Sequence, residues 1–233
     1  MKIAITGEKG FIGVHLTLYF KNILKYEVIE LGRDYLANLD KINKLDWLIH
    51  TAFVHRNPKP EKVLELNKSL TKATIDGLKS NNIKCNVAFL SSIHEELDTF
   101  YGQSKREAKI SFLNYCKTVN KEFISFKLPN VFGTYAKPNR TSFIASFCYN
   151  LQNDILVNYN QNKINLCCVE DVISIIGKLQ KKEIPFVESS VDKVYFLLKE
   201  FKEITTTGGI PKLKSKFELD LYNTYISYTN YKL

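Results

Sequence analysis

The sequence predicts an α/β fold: a Rossmann-like doubly wound parallel sheet with a small substrate-facing C-terminal lobe. Three observations carry that prediction. Short apolar runs alternate with amphipathic helical patterns. A glycine-bearing turn joins the first run to the first helical pattern. The alternation stops after Lys127, where Pro129, Pro138 and Asn139 break it.

In order, apolar runs at residues 3–5, 28–31, 47–49, 87–90 and 123–126 read as five strands. Helical patterns at residues 11–20, 60–80 and 99–119 separate them, and strands alternating with helices imply a parallel sheet covered on both faces. Such a sheet binds ligands at the carboxyl ends of its strands, where strand order reverses. Beyond Lys127 a helix is expected at residues 141–151 and an apolar run up to Cys168. A further helix opens at Val169-Glu170-Asp171-Val172, another capped by Ser190 runs to Phe201, and a last amphipathic segment covers residues 217–228 after Gly208-Gly209. The expected division is a cofactor-binding core of residues 1–130 with 163–182, and a smaller substrate lobe of residues 131–162 with 183–233.

With 233 residues, 45% of them hydrophobic and 24% charged, the chain can bury a full core, which excludes a disordered or fibrous protein. No apolar run approaches the roughly 18–20 residues that span a bilayer. The first strand starts at Met1 with no room for a signal peptide, so a cytoplasmic protein with no membrane partner is expected. The five cysteines, Cys85, Cys116, Cys148, Cys167 and Cys168, are odd in number and show no CxxC spacing; neither disulfides nor a metal site is indicated. Net charge is +9, but only Arg33, Arg56, Arg106 and Arg140 are arginines and the lysines are scattered. That pattern argues against nucleic acid and suits attraction of a polyanionic cofactor or nucleotide.

Thr6-Gly7-Glu8-Lys9-Gly10-Phe11-Ile12-Gly13 spaces its glycines three apart between strand and helix. Gly7 permits a tight turn, Gly10 lets a pyrophosphate reach backbone N–H groups at the helix start, around Phe11 and Ile12, and Gly13 lets the helix pack on the sheet. The competing reading is a structural turn, which the strand-before, helix-after context disfavours. Just past the second strand, Gly32 leaves space and Arg33 offers a guanidinium, a pairing suited to the 2′-phosphate of NADP(H). An acidic residue at that place would signal NAD. Arg33 as a solvated surface charge is the alternative.

A tyrosine and a lysine four apart share a helix face, so the lysine can lower the phenol's pKa and hold a nicotinamide ribose. Chance alone gives roughly 1.6 such pairs in a chain this rich in both residues. Four occur: Tyr101/Lys105, Tyr159/Lys163, Tyr195/Lys199 and Tyr228/Lys232. Only Tyr101/Lys105 follows the fourth strand, nine residues beyond Ser92, which can polarise a substrate carbonyl beside the phenol. The other three pairs read as packing or surface residues.

These stretches, with Asp46 to Ala52, Ser91-Ser92, Tyr101-Gly102-Gln103-Ser104-Lys105, residues 129–133 and Val169 to Val172, resemble the extended short-chain dehydrogenase/reductases. That family comprises nucleotide-sugar epimerases, dehydratases and reductases. Residues 128–149 and 217–228 are more narrowly similar to the reductase portions of bifunctional capsular-polysaccharide enzymes, which act on UDP-linked 2-acetamido-2,6-dideoxy-hexuloses and carry a metal-binding cupin half. Because the chain stops at Leu233, that half and its epimerase activity are expected to be missing.

The resemblance implies an NADPH-dependent 4-keto reductase with Ser92, Tyr101 and Lys105 as catalytic residues. On this reading Ala52 is expected to pass near the cofactor, and Asn130, Lys137, Asn139 and Ser142 to touch the sugar or its phosphates; the alternative is that Pro138-Asn139 simply caps the next helix. A homodimer formed through helices 60–80 and 99–119 is also implied. Ile93 and His94 follow Ser92 where a dehydratase would carry an acid/base pair, and Ile164 stands where relatives place a phosphate-binding arginine. His50 and His94 read as structural or solvated. The rivals are a UDP-sugar 4-epimerase retaining NAD and a non-catalytic dinucleotide sensor.

Overall fold

A computed structural model describes residues 1–32, 39, 42, 44–229 and 231. Five strands form a parallel sheet: β1 (Lys2–Thr6), β2 (Glu27–Glu30), β3 (Trp47–His50), β4 (Asn86–Ser92) and β5 (Phe123–Leu128), in the order β2-β1-β3-β4-β5. The order turns back on itself between β1 and β3, whose register pairs Ile3 with Trp47 and Thr6 with His50. All five expected strands are present. A crevice at such a reversal lies beyond the carboxyl ends of the strands.

Side-chain alternation along the strands makes the sheet two-faced. Ala4, Leu48, Val87 and Phe89 point into one core together with Ile75 and Leu78 of α2 (Pro60–Ser80) and Ala108, Phe112 and Tyr115 of α3 (Phe100–Thr118). Helix α1 (Phe11–Leu18) follows β1 directly. It is shorter than expected, because the chain passes into a π-helical turn over Tyr19–Ile23 before Lys25 takes a left-handed conformation. A Cβ on Gly177 would lie 2.3 Å from the Tyr19 ring, so that glycine allows close packing beside the turn.

The chain divides into two compact units, Met1–Leu128 with Ile173–Glu183, and Pro129–Val172 with Ile184–Leu233. The second holds a three-stranded sheet in which β7 (Lys163–Cys168) pairs parallel with β6 (Asn130–Phe132) and antiparallel with β8 (Val187–Ser190). Residues 163–172, expected in the cofactor core, therefore belong to this second unit: β7 takes its hydrogen bonds from β6 and β8, not from the five-stranded sheet. Helices α4 (Phe143–Gln152), α6 (Val191–Thr206) and α7 (Lys216–Ile226) pack together in the same unit, and α5 (Val169–Ile176) follows β7. Ser190 stands at the start of α6 as expected, but its hydroxyl hydrogen-bonds the Asp192 carboxylate and caps no backbone N–H.

Cys85, Cys116, Cys148, Cys167 and Cys168 are all buried free thiols. Among the described residues no helix is long and apolar enough to cross a membrane, and no cluster of three His, Cys, Asp or Glu side chains could hold a metal ion.

Candidate active site

The turn after β1 is shaped by what its glycines lack. Gly7 has φ +71°, and a Cβ there would lie 2.8 Å from the amide nitrogen of Ala52 at the end of β3. A Cβ on Gly13 would lie 2.1 Å from the Gly7 carbonyl oxygen, so only glycine lets α1 start this close to the loop. Gly10 is the residue preceding α1 and offers no side-chain cap. The amides of Phe11, Ile12 and Gly13 therefore meet no acceptor within their own helix and present the positive end of its dipole. A bare, cationic helix start beside a cradle that a Cβ would fill fits a pyrophosphate.

Gly7, Gly10, Phe11, Ile12, Gly13 and Ala52 thus come together at one sheet edge. The Ala52 N–H donates to Thr6 Oγ1 (3.3 Å), and the Thr51 hydroxyl donates to the Thr6 carbonyl (2.6 Å). His50, wholly buried, places Nδ1 3.1 Å from Thr6 Oγ1, and burial, with the Lys105 charge nearby, holds its pKa down to about 3. Gly32 also has φ +71°, with open space around its Cα; Arg33 lies outside the described residues.

At the end of β4, Ser92 accepts a hydrogen bond from the His94 N–H (3.2 Å), opening a 3₁₀ turn over Ile93–Glu96. Thr99 caps α3 by accepting from the Gly102 N–H (3.0 Å). A Cβ on Gly102 would lie 2.4 Å from the Leu97 carbonyl oxygen and 2.5 Å from that of His94, so this glycine seats the helix against the turn. The result is that the Tyr101 phenol is brought near enough to the Ser92 hydroxyl for that hydroxyl to act on its proton. The Tyr101 ring is walled by His55, stacked at 5.4 Å, and by Phe53, edge-on at 5.9 Å. Burial pushes its phenol up to about 12, with the nearby Ser92 hydroxyl acting in the opposite direction.

Lys105, one helical turn further, is 4% exposed. Its Nζ donates to the Leu90 carbonyl (2.7 Å) and lies 3.6 Å from the centre of the Phe53 ring and 5.0 Å from that of Phe89. Desolvation lowers its pKa to about 7, against the opposing field of Glu95. The sequence reading has Lys105 lower the Tyr101 pKa. The structure differs: Nζ stands 5.7 Å from the Tyr101 ring centre, engaged with Phe53 and Leu90, and the phenol is raised.

Several contributors were missed in the sequence. Asn67 on α2 donates to the Val54 carbonyl (2.9 Å) and accepts from its N–H (2.8 Å), fixing the loop that carries Phe53 and His55; its amide also reaches Ser104 Oγ (3.3 Å). Glu95 is buried beneath the 3₁₀ turn. A signal for Glu95 existed, since Ser92-x-x-Glu95 has the spacing of a capping box. Phe53 carried none, because an aromatic residue after a buried strand is ordinary core.

Of the expected substrate residues, Asn130, Lys137, Asn139 and Ser142 all lie in the second unit. Asn130 donates its amide to the Asn165 carbonyl (3.2 Å) within the small sheet. Asn139 has φ +59°, and its N–H donates to Ser146 Oγ (2.8 Å). The Lys137 N–H donates to Thr141 Oγ1 (2.6 Å), and Ser142 precedes α4 in an extended conformation. Among the remaining Tyr/Lys pairs, Tyr159 and Tyr195 stack on each other at 4.3 Å, and the Tyr228 hydroxyl donates to the Ala136 carbonyl. Lys232 lies outside the described residues.

A glycine cradle after β1 and a cluster of Ser92, Tyr101 and Lys105 thus stand on one parallel sheet. The chain belongs to the NAD dependent epimerase/dehydratase family, whose model matches residues 3–184. It is 30% identical over 98% of its length to the UDP-2-acetamido-2,6-beta-L-arabino-hexul-4-ose reductase of Pseudomonas aeruginosa, and spans 65% of that protein. The capsular polysaccharide assembling protein CapF of Staphylococcus aureus superposes with a TM-score of 0.83 at 26% identity, over all of this chain and 67% of that one. RMD of Pseudomonas aeruginosa, solved with NADPH, has a TM-score of 0.79 at 16% identity over 99% of this chain and 100% of that one, a likeness of fold.

Proposed function

We propose that this chain is an NADP-dependent oxidoreductase that reduces the C4 ketone of a UDP-linked 2-acetamido-2,6-dideoxy-hexos-4-ulose, in cytoplasmic synthesis of a capsule or surface glycan. The observation that carries this reading is the neighbouring Ser92 and Tyr101 hydroxyls, with buried Lys105 one turn on, at the carboxyl end of the sheet that also carries the glycine cradle. The name of the Pseudomonas reductase supports the substrate class, and that of the Staphylococcus protein supports a role in capsule synthesis.

Reduced nicotinamide supplies a hydride to a carbonyl carbon. The Tyr101 O–H then delivers its proton to the carbonyl oxygen as negative charge develops there, giving the secondary alcohol. Ser92 donates a hydrogen bond to the same oxygen and orients it, an interaction that strengthens as charge grows. The Lys105 ammonium favours the phenolate left behind and holds the ribose, which requires it to leave the Leu90 carbonyl. Phe53 and His55 exclude water from the Tyr101 ring.

Gly7, Gly10, Phe11, Ile12, Gly13 and Ala52 hold the dinucleotide, and Arg33, the next residue in the sequence after Gly32, selects its 2′-phosphate. The second unit is the substrate lobe, with Asn130, Lys137, Asn139 and Ser142 toward sugar or phosphates. The chain pairs with a second copy of itself through helices α2 and α3.

The test is NADPH oxidation with the UDP-4-keto-6-deoxy-N-acetylhexosamine made by a dehydratase. Turnover that disappears in Tyr101→Phe is expected. NADPH binding without turnover would overturn the reading, and protein purified with retained NAD would favour the epimerase.

A further inference from the structure

Glu95 is a carboxylate in a place where burial works against its charge. It is 6% exposed, yet it joins three elements of the first unit. It accepts from the Ser91 hydroxyl on β4 and from Lys109 Nζ on α3 (2.9 Å), and Lys127 Nζ on β5 lies 3.8 Å away. Arg106 of α3 also donates to the Glu95 backbone carbonyl (2.5 Å) and to that of Leu97 (3.0 Å). The 3₁₀ turn is thus fastened at both its carboxylate and its backbone.

What that turn carries explains the fastening. Its first residue is preceded by Ser92, and α3 carries Tyr101 on its first turn and Lys105 on its second. If β4 and α3 moved apart at this point, the Ser92 and Tyr101 hydroxyls would separate and Lys105 would lose the Leu90 carbonyl. We propose that Glu95 is a positioning residue for the reaction, clamping the β4 end to α3 so that Ser92 and Tyr101 share one substrate oxygen. The proposal rests on the reductase reading only for its effect on turnover.

The electrostatics agree with the geometry. Burial works against the Glu95 carboxylate, but the Ser91 hydroxyl and Lys109, with Lys127 behind, more than offset it and keep its pKa below the ordinary value. Lys105 is faced by Tyr101 on its own helix, His50 and His55 from β3 and its following loop, and Glu95 from the turn. Of these, Glu95 is the group whose negative field raises the Lys105 pKa against desolvation. Lys127 divides its charge between Glu95 and Glu96 (2.6 Å), and Lys109 is the nearer partner.

The experiment compares Glu95→Gln and Glu95→Asp with the parent protein by two readouts. The first follows the Lys105 Cε resonance against pH in protein labelled with [6-¹³C]lysine, without substrate, assigned by its loss in Lys105→Met. The second follows kcat and KM for keto-sugar reduction against pH. In Glu95→Gln the Lys105 titration moves to lower pH by about half a unit or more. In the same variant kcat falls about tenfold with KM little changed, and the alkaline limb of activity moves the same way. Glu95→Asp recovers part of both. An unmoved Lys105 titration in folded Glu95→Gln overturns the proposal whatever the turnover, as does equal loss in both variants with an unchanged pH profile. A parent protein that does not reduce the keto-sugar while its Lys105 titration responds to Glu95→Gln overturns the reductase reading alone.

Discussion

The ammonium of Lys105 lies 3.6 Å from the centre of the Phe53 ring while it donates to the Leu90 carbonyl. A lysine in that setting is held by the π face of an aromatic ring and a single backbone oxygen, away from water. Desolvation brings it to about 7, so near neutrality it exchanges its proton readily, a property useful in a site and costly to the fold.

From this it follows that Lys105→Met abolishes keto-sugar reduction and raises the melting temperature. The folded pKa is depressed below the free-lysine value, so the unfolded chain binds a proton more readily between about 7 and 10.5, and the parent loses stability there as pH falls. Differential scanning calorimetry at pH 8 should show the variant melting several degrees higher. A lower melting temperature would mean that Lys105 holds the fold together.

His50 gives an acid-stability prediction of known sign. Its folded pKa of about 3 lies well below the ordinary 6.5, so the penalty for keeping it neutral grows as pH falls below 6.5 and reaches its limit near 3. At pH 5 it amounts to about 2 kcal/mol. His50→Asn keeps a polar partner for Thr6 and cannot titrate. The difference in urea-unfolding stability between the two proteins should change by about that amount between pH 7.5 and pH 5, and a pH-independent difference would refute the assignment.

The three loop glycines should separate by what their Cβ atoms would strike. Gly13→Ala puts a methyl 2.1 Å from the Gly7 carbonyl oxygen and should lower stability by about 3 kcal/mol or more. Gly10→Ala meets the same oxygen at 3.0 Å. That variant should melt within a few degrees of the parent and bind NADPH at least tenfold more weakly by fluorescence titration. Equal loss of stability in both would show that the loop is built for packing alone.

Ser92→Ala should reduce kcat about a hundredfold with NADPH affinity unchanged, since its hydroxyl lies beside the Tyr101 phenol and bonds no part of the glycine cradle. Stopped-flow single turnovers separate this loss from any change in product release.

The parts legible in the sequence are those with a periodic or steric signature. The five parallel strands, the turn at Gly7, Gly10 and Gly13, and the adjacency of Ser92 to Tyr101 all follow from spacing that any protein of this architecture must keep. Illegible were the features set by long-range pairing. Nothing in residues 163–168 says that they will hydrogen-bond with Asn130–Phe132 and not with the larger sheet. The rotamer that turns Lys105 from Tyr101 toward Phe53 depends on Asn67, 38 positions earlier on another helix, holding the loop at Val54.

The burial of every thiol turns the protein into its own probe of motion. Burial raises all five cysteines above the ordinary thiol range, so none presents a reactive thiolate until its surroundings open. Cys85 and Cys116 sit in the first unit and Cys148, Cys167 and Cys168 in the second. Alkylation timed by mass spectrometry therefore clocks the two units separately, with no label added. Bound NADPH should protect the first pair, leaving the other three to report whether the second unit breathes on its own.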